Sequence, residues 1–136
     1  MRQCLFVLLL LPLICCTRSE YKPMVRERLD SPVISNDISN NRVTSFAEDV
    51  HGHIWIGTFR GLNKSTVHEF HQYFCTEDSL SITDNQIQTL HRDRGGRLWV
   101  GTVNGLCLYT DRDEFRRIPM DSDARNIVQI LEDKSG

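Results

Sequence analysis

The chain has 136 residues, 25% of them charged, 40% hydrophobic and 8% aromatic, and a formal net charge of −2. That balance argues against nucleic acid or an anionic membrane surface as a partner, because neither is attracted by a near-neutral, slightly acidic chain. Once the N-terminal segment is set aside, about 120 residues remain, enough for one small domain.

In chain order, the first segment reads MRQCLFVLLLLPLICCTRSE: Arg2 precedes an apolar run from Cys4 to Cys16, and the chain turns polar at Thr17. A charged start followed by an apolar stretch too short to span a bilayer is the pattern of a secretory signal. Pro12 within the run argues against a buried core helix. The reading is a signal-peptide helix over 1–17, then a linker with a lead-in strand over 18–37. Leu13-Ile14-Cys15-Cys16 resembles a bacterial lipobox, which implies lipid attachment at Cys16, although the lipobox prefers Gly, Ala or Ser where Cys15 stands. Beyond the signal only Cys75 and Cys107 remain. They lack metal-type or CxxC spacing and are expected to be two unrelated, half-buried thiols.

From residue 38 the chain repeats itself at an offset of 44: HGHIWIGT at 51–58 returns as GGRLWVGT at 95–102. Asn41 aligns with Asn85, Val43 with Ile87, Phe46 with Leu90, Asp49 with Asp93 and Gly52 with Gly96. Trp55, Gly57, Thr58, Gly61 and Leu62 align with Trp99, Gly101, Thr102, Gly105 and Leu106. A third copy opens with Ile127, Ile130, Asp133 and Gly136. Asp at the first and Gly at the fourth position of each Asp-x-x-Gly stretch fit a type I turn, so Asp49, Asp93 and Asp133 are read as hairpin corners. Ile54-Trp55-Ile56 and Leu98-Trp99-Val100 are apolar at successive positions, which predicts strands covered on both faces. Phe59-Arg60-Gly61 and Val103-Asn104-Gly105 read as three-residue loops closing on a glycine of positive φ. Strands led by Leu62 and Leu106 follow, and fourth strands around Phe70 to Phe74 and Phe115 to Ile118 complete each unit.

Four short antiparallel strands per unit of this length describe a β-propeller blade. A repeat of paired helices is the competing reading, but an Asp-x-x-Gly corner and further glycines interrupt the chain over 49–61 and 93–105 in the middle of each unit, so two helices per unit cannot propagate. The expected fold is all-β: blade 1 over 38–80, blade 2 over 81–121, and the first strand of a third over 122–136.

Ile38-Ser39-Asn40-Asn41-Arg42-Val43 through Trp55-Ile56-Gly57-Thr58, and Ile82-Thr83-Asp84-Asn85-Gln86-Ile87 through Trp99-Val100-Gly101-Thr102, carry a family resemblance. This pattern resembles the two-component regulator propeller repeat of periplasmic sensor regions in Bacteroides-type hybrid histidine kinases. Asn63-Lys64-Ser65 departs from it where the family places Tyr-Asp; Tyr109-Thr110-Asp111 is closer. The resemblance implies an exported, amino-terminal fragment of a larger dimeric sensor. In that whole, further propeller blades and an immunoglobulin-like domain precede a transmembrane helix, a kinase core, a receiver and a DNA-binding domain. It also implies an oligosaccharide ligand, no cofactor, and no catalysis by this part, the kinase lying further along. Two rivals are an exported propeller enzyme resembling streptogramin lyases and a stand-alone carbohydrate- or protein-binding propeller.

Candidate site residues are weighed against their structural alternatives. His51, His53, His68, His71 and His91 do not recur by column, and zinc would need three or four convergent ligands, so they read as turn and edge residues. Trp55 and Trp99 could stack on sugars, yet their mid-strand position favours packing between blades. Phe59, Arg60, Val103 and Asn104 occupy equivalent loops and are the candidates for contacting a ligand. No Ser-His-Asp order, nucleophile motif or phosphate-cradling loop appears. With two blades alone, both outer sheet faces are expected to present apolar residues to water.

Overall fold

The computed structural model describes residues 32–123 and 125–135; the signal segment, Cys16 and Gly136 lie outside them. Among the described residues there are only strands and connections. Val33–Ser35 forms β1, Val43–Glu48 β2, Ile54–Thr58 β3, Gly61–Ser65 β4 and Phe70–Tyr73 β5. Ile87–Arg92 forms β6, Leu98–Thr102 β7, Gly105–Thr110 β8 and Glu114–Ile118 β9. Two antiparallel sheets result, ordered β1-β5-β4-β3-β2 and β6-β7-β8-β9. Each carries the four-stranded meander of a blade, and β1 adds a fifth strand to the edge of the first by pairing with β5.

The Asp-x-x-Gly corners form as their chemistry requires. Gly52 N donates to Asp49 O at 3.2 Å and Gly96 N to Asp93 O at 2.9 Å, with the two glycines at φ 81° and 82°. Asp49 Oδ1 also accepts the amides of His51 and His53. The other hairpins are tighter than expected: the ladders pair Thr58 with Gly61 and Thr102 with Gly105, so two residues, not three, lie outside the pairing. Each glycine still takes positive φ, 129° and 132°.

The sheets stack face to face, and the core lies between them. Trp55 is fully buried, stacked on Tyr73 with centroids 5.4 Å apart and capped by the edge of Tyr109 at 4.5 Å. Full burial of one such side chain contributes roughly 1.5–3 kcal/mol, and an aromatic pair about 0.5–1.5 kcal/mol more. The column glycine permits this approach, since a Cβ at Gly57 would lie 2.6 Å from Ile87 Cγ2 of the other sheet. Polar groups close the junction: Lys64 Nζ donates to Tyr109 Oη at 3.2 Å, and Tyr73 and Tyr109 both donate to Asp113 Oδ1.

The same columns meet different surroundings in the two units. Leu90 and Leu98, which face the junction, are 8% and 2% exposed, whereas their counterparts Phe46 and Ile54 are 62% and 41% exposed. Trp55 is sealed, but Trp99 is only half-buried, with the Arg97 guanidinium 5.4 Å over its ring. Residues 125–133 form no strand, yet the start of the third unit is seated like its predecessor. Ile127 N donates to Thr102 O at 2.9 Å, and Ile127 Cγ2 lies 2.7 Å from where a Gly101 Cβ would stand.

Candidate functional site

The β3–β4 and β7–β8 hairpins, together with the segments that lead into β2 and β6, build one end of the sheet stack. Threonine clasps each hairpin. Thr58 Oγ1 donates to Gly61 O at 2.8 Å and accepts from Arg60 N, while Thr102 Oγ1 does the same with Gly105 O and Asn104 N. Ser39 and Thr83, at equivalent positions in the leading segments, approach these threonine hydroxyls at 3.2 and 2.8 Å. The last residues of the phrase W-I/V-G-T therefore fix the loop that follows it.

The four loop candidates separate into two roles. Phe59 N donates to Arg42 O, and its ring lies 3.8 Å beneath the Arg42 guanidinium; Val103 N donates to Gln86 O. These two tie the loop to the neighbouring segment. Arg60 and Asn104 are exposed. Arg60 lines a cleft of about 340 Å³ with Ser39, Asn40, Phe74 and Asn85. Asn104 lines a cleft of about 220 Å³ with Thr83, Ile118, Met120 and Arg125. Asn85 is held in place because its Oδ1 accepts Cys75 N at 2.6 Å and its carbonyl accepts Gly61 N at 2.7 Å.

Arg117, at the edge of the second cleft, is engaged elsewhere. Its guanidinium donates to Ser81 Oγ at 2.8 Å and to the carbonyls of Asp78, Ser81 and Ile82, wrapping the loop before β6. Gln72 occupies the matching ladder position in the first sheet and donates to Asp37 O at 2.8 Å. Sequence reasoning missed both, as well as Asn85 and Arg125. The signal for the last two was present in the repeat columns, but only the stacked sheets show which loops those columns meet.

The opposite end carries the acidic corners. Trp55 Nε1 and Trp99 Nε1 donate to Asp49 and Asp93, so neither indole offers its N–H to a sugar. Burial raises the Asp93 pKa, but the indole, the Arg97 amide and the Arg97 guanidinium together outweigh it and hold the carboxyl at about 2. Among the described residues no group of three or more His, Cys, Asp or Glu could hold a metal ion. His51 and His68 are exposed, and His53 hydrogen-bonds Asp49. Cys107 is buried, which pushes its thiol up to about 12, while Cys75 is half-buried with Sγ 3.5 Å from Thr83 O. A smaller cavity of about 100 Å³ at the outer rim is lined by Val33, Tyr73, Leu80 and Phe115 among others.

Stacked four-stranded meanders with an inner glycine column and hairpin loops gathered at one end define this chain as blades of a β-propeller. Residues 37–60 and 81–104 match the two component regulator propeller family, and these repeats make up most of the two blades. Solved structures agree. The extracellular domain of BT3049, assigned as a hybrid two component system of B. thetaiotaomicron, is 27% identical with a TM-score of 0.58 over 69% of this chain and 14% of that one. The extracellular domain of BT4673 from the same organism, assigned as a one component system, is 24% identical with a TM-score of 0.60 over 69% of this chain and 13% of that one. The chain thus spans about a seventh of the length of these structures. No curated protein matches it.

Proposed function

We propose that this chain contributes two blades to the extracytoplasmic ligand-sensing propeller of a two-component sensor, and that the ligand is an oligosaccharide bound at the β3–β4 and β7–β8 loop end. The observation that carries the reading is the pair of equivalent clefts. Each joins a guanidinium, a carboxamide and a hydroxyl to an apolar floor, Phe74 in the first and Ile118 with Met120 in the second. Sugars need this mixture: directional donors and acceptors for their hydroxyls, and an apolar surface for their C–H faces. The likeness to extracellular domains of two-component systems supports export through the N-terminal signal and a sensing rather than catalytic part. Phosphotransfer and dimerisation would belong to the rest of such a sensor.

The test is calorimetric titration of the folded chain, and of the longer polypeptide that contains it, against a panel of plant and host oligosaccharides. Binding that weakens about tenfold or more in Asn85→Ala supports the reading. A folded protein that binds no member of the panel overturns it, and turnover of a streptogramin would favour the lyase-like enzyme instead.

A further inference from the structure

The two clefts are built from the same repeat columns, but the residues in two of those columns are exchanged. In the first, the hairpin position is Arg60 and the position leading into the next unit is Asn85. In the second, the hairpin position is Asn104 and the leading position is Arg125. From these two columns each cleft therefore draws one exposed arginine and one asparagine, although neither column is uniform; Asn40 also lines the first cleft, and Arg117, engaged with the loop before β6, lines the second. The guanidiniums of Arg60 and Arg125 make no hydrogen bond or ion pair among the described residues, in contrast to Arg92, Arg97 and Arg117. Arg42 stands nearby over Phe59; of the acidic residues near the clefts, Asp84 accepts Gln86 N at 2.8 Å and Asp123 accepts Ser122 Oγ at 3.1 Å, and neither forms an ion pair with Arg60 or Arg125 among the described residues.

Resting on the oligosaccharide reading above, we infer that the ligand is anionic, an oligosaccharide carrying a carboxylate or sulfate, and that each cleft pairs one arginine with one such group. A neutral sugar would gain from asparagine and hydroxyl donors alone; an unengaged guanidinium in each of two adjacent clefts is matched by an anion whose two oxygens accept its parallel N–H groups, as a carboxylate or a sulfate can. The neighbouring asparagine supplies carboxamide N–H donors for the adjacent hydroxyls, Asn85 Oδ1 being engaged by Cys75 N. Adjacent clefts on successive blades then favour an oligomer charged on more than one residue over a monosaccharide.

The experiment titrates the full chain with three probes: an oligogalacturonate, the methyl ester of the same oligomer, and a sulfated neutral oligosaccharide. Expected are binding of at least one anionic probe, at least about tenfold weaker binding of the ester, and weakening with ionic strength. Arg60→Gln and Arg125→Gln should each lose about tenfold for the anionic probe and little for the ester. Arg60→Lys should recover part of the loss, and Arg116→Gln, on the exposed side of β9, should lose nothing. Preference between uronate and sulfate identifies which anion the clefts take. If the ester binds as tightly as the acid, or Arg60→Gln binds the acid unchanged, the inference is overturned while the oligosaccharide reading stands. If no probe and no neutral sugar binds the folded chain, both fall together.

Discussion

Trp55 Nε1 donates to Asp49 Oδ2 at 2.9 Å across the β2–β3 corner, and Trp99 makes the same bond to Asp93 at 2.8 Å. One carboxylate thus serves the turn with one oxygen and the core tryptophan with the other. Asp49→Ala should cost about 2–3 kcal/mol, because it strands a fully buried indole N–H as well as the turn amides. Asp93→Ala should cost less, about 1 kcal/mol, since water can reach the half-buried Trp99. Denaturant midpoints of the two variants provide the check, and equal losses would contradict the asymmetry.

Acid should weaken the fold in a defined window. The folded Asp93 carboxyl sits at about 2 against an ordinary 3.8, so its contribution is complete above about pH 4 and is lost as pH falls through 2. Asp49 and Asp113 are lowered in the same direction: burial opposes ionisation in both, but hydrogen bonds to Trp55 and to Tyr73 respectively outweigh it. Thermal midpoints measured over this range should fall on acidification, less steeply in Asp93→Asn. A midpoint that rises toward pH 2 would refute the assignment.

Gly57→Ala should be more damaging than Gly101→Ala. The new methyl would meet Ile87 Cγ2 and Ser45 Oγ, both at 2.6 Å, inside the packed junction. Overpacking of that kind costs about 1–3 kcal/mol. At Gly101, Thr89 Cγ2 of β6 stands as close, at 2.7 Å, but the second obstacle, Ile127 Cγ2 at 2.7 Å, lies in a segment that no strand ladder fixes, so less has to be displaced. Urea unfolding of both variants separates the two cases.

The open face predicts opposite behaviour for matching columns. Phe46→Ser should change stability by no more than about 0.5 kcal/mol and reduce self-association, because Phe46 is 62% exposed. Leu98→Ala, in the column of Ile54 but inside the junction, should cost about 2–5 kcal/mol. Light scattering and denaturation on the same samples test the pair; equal destabilisation by both substitutions would show that the faces are not distinct.

Thiol chemistry should distinguish Cys75 from Cys107. Cys107 is buried with a thiol pushed up to about 12, so alkylation should reach it only on unfolding, while half-buried Cys75 reacts in the native state. Mass spectrometry of the labelled chain reports the order directly.

The sequence by itself determined the all-β blade, the Asp-x-x-Gly corners, the positive-φ glycines and the strand that carries tryptophan. These features depend on turn geometry and short apolar runs that local residue choice controls, written again at a fixed offset in the next unit. Only the tertiary structure decided that Trp55 is sealed while Trp99 is half-open, that β1 joins the outer edge of the first sheet, and that Arg60 meets Asn85 as Asn104 meets Arg125. Those outcomes depend on which sheet face lies against which neighbour, and identical columns carry no mark of whether a neighbour covers them.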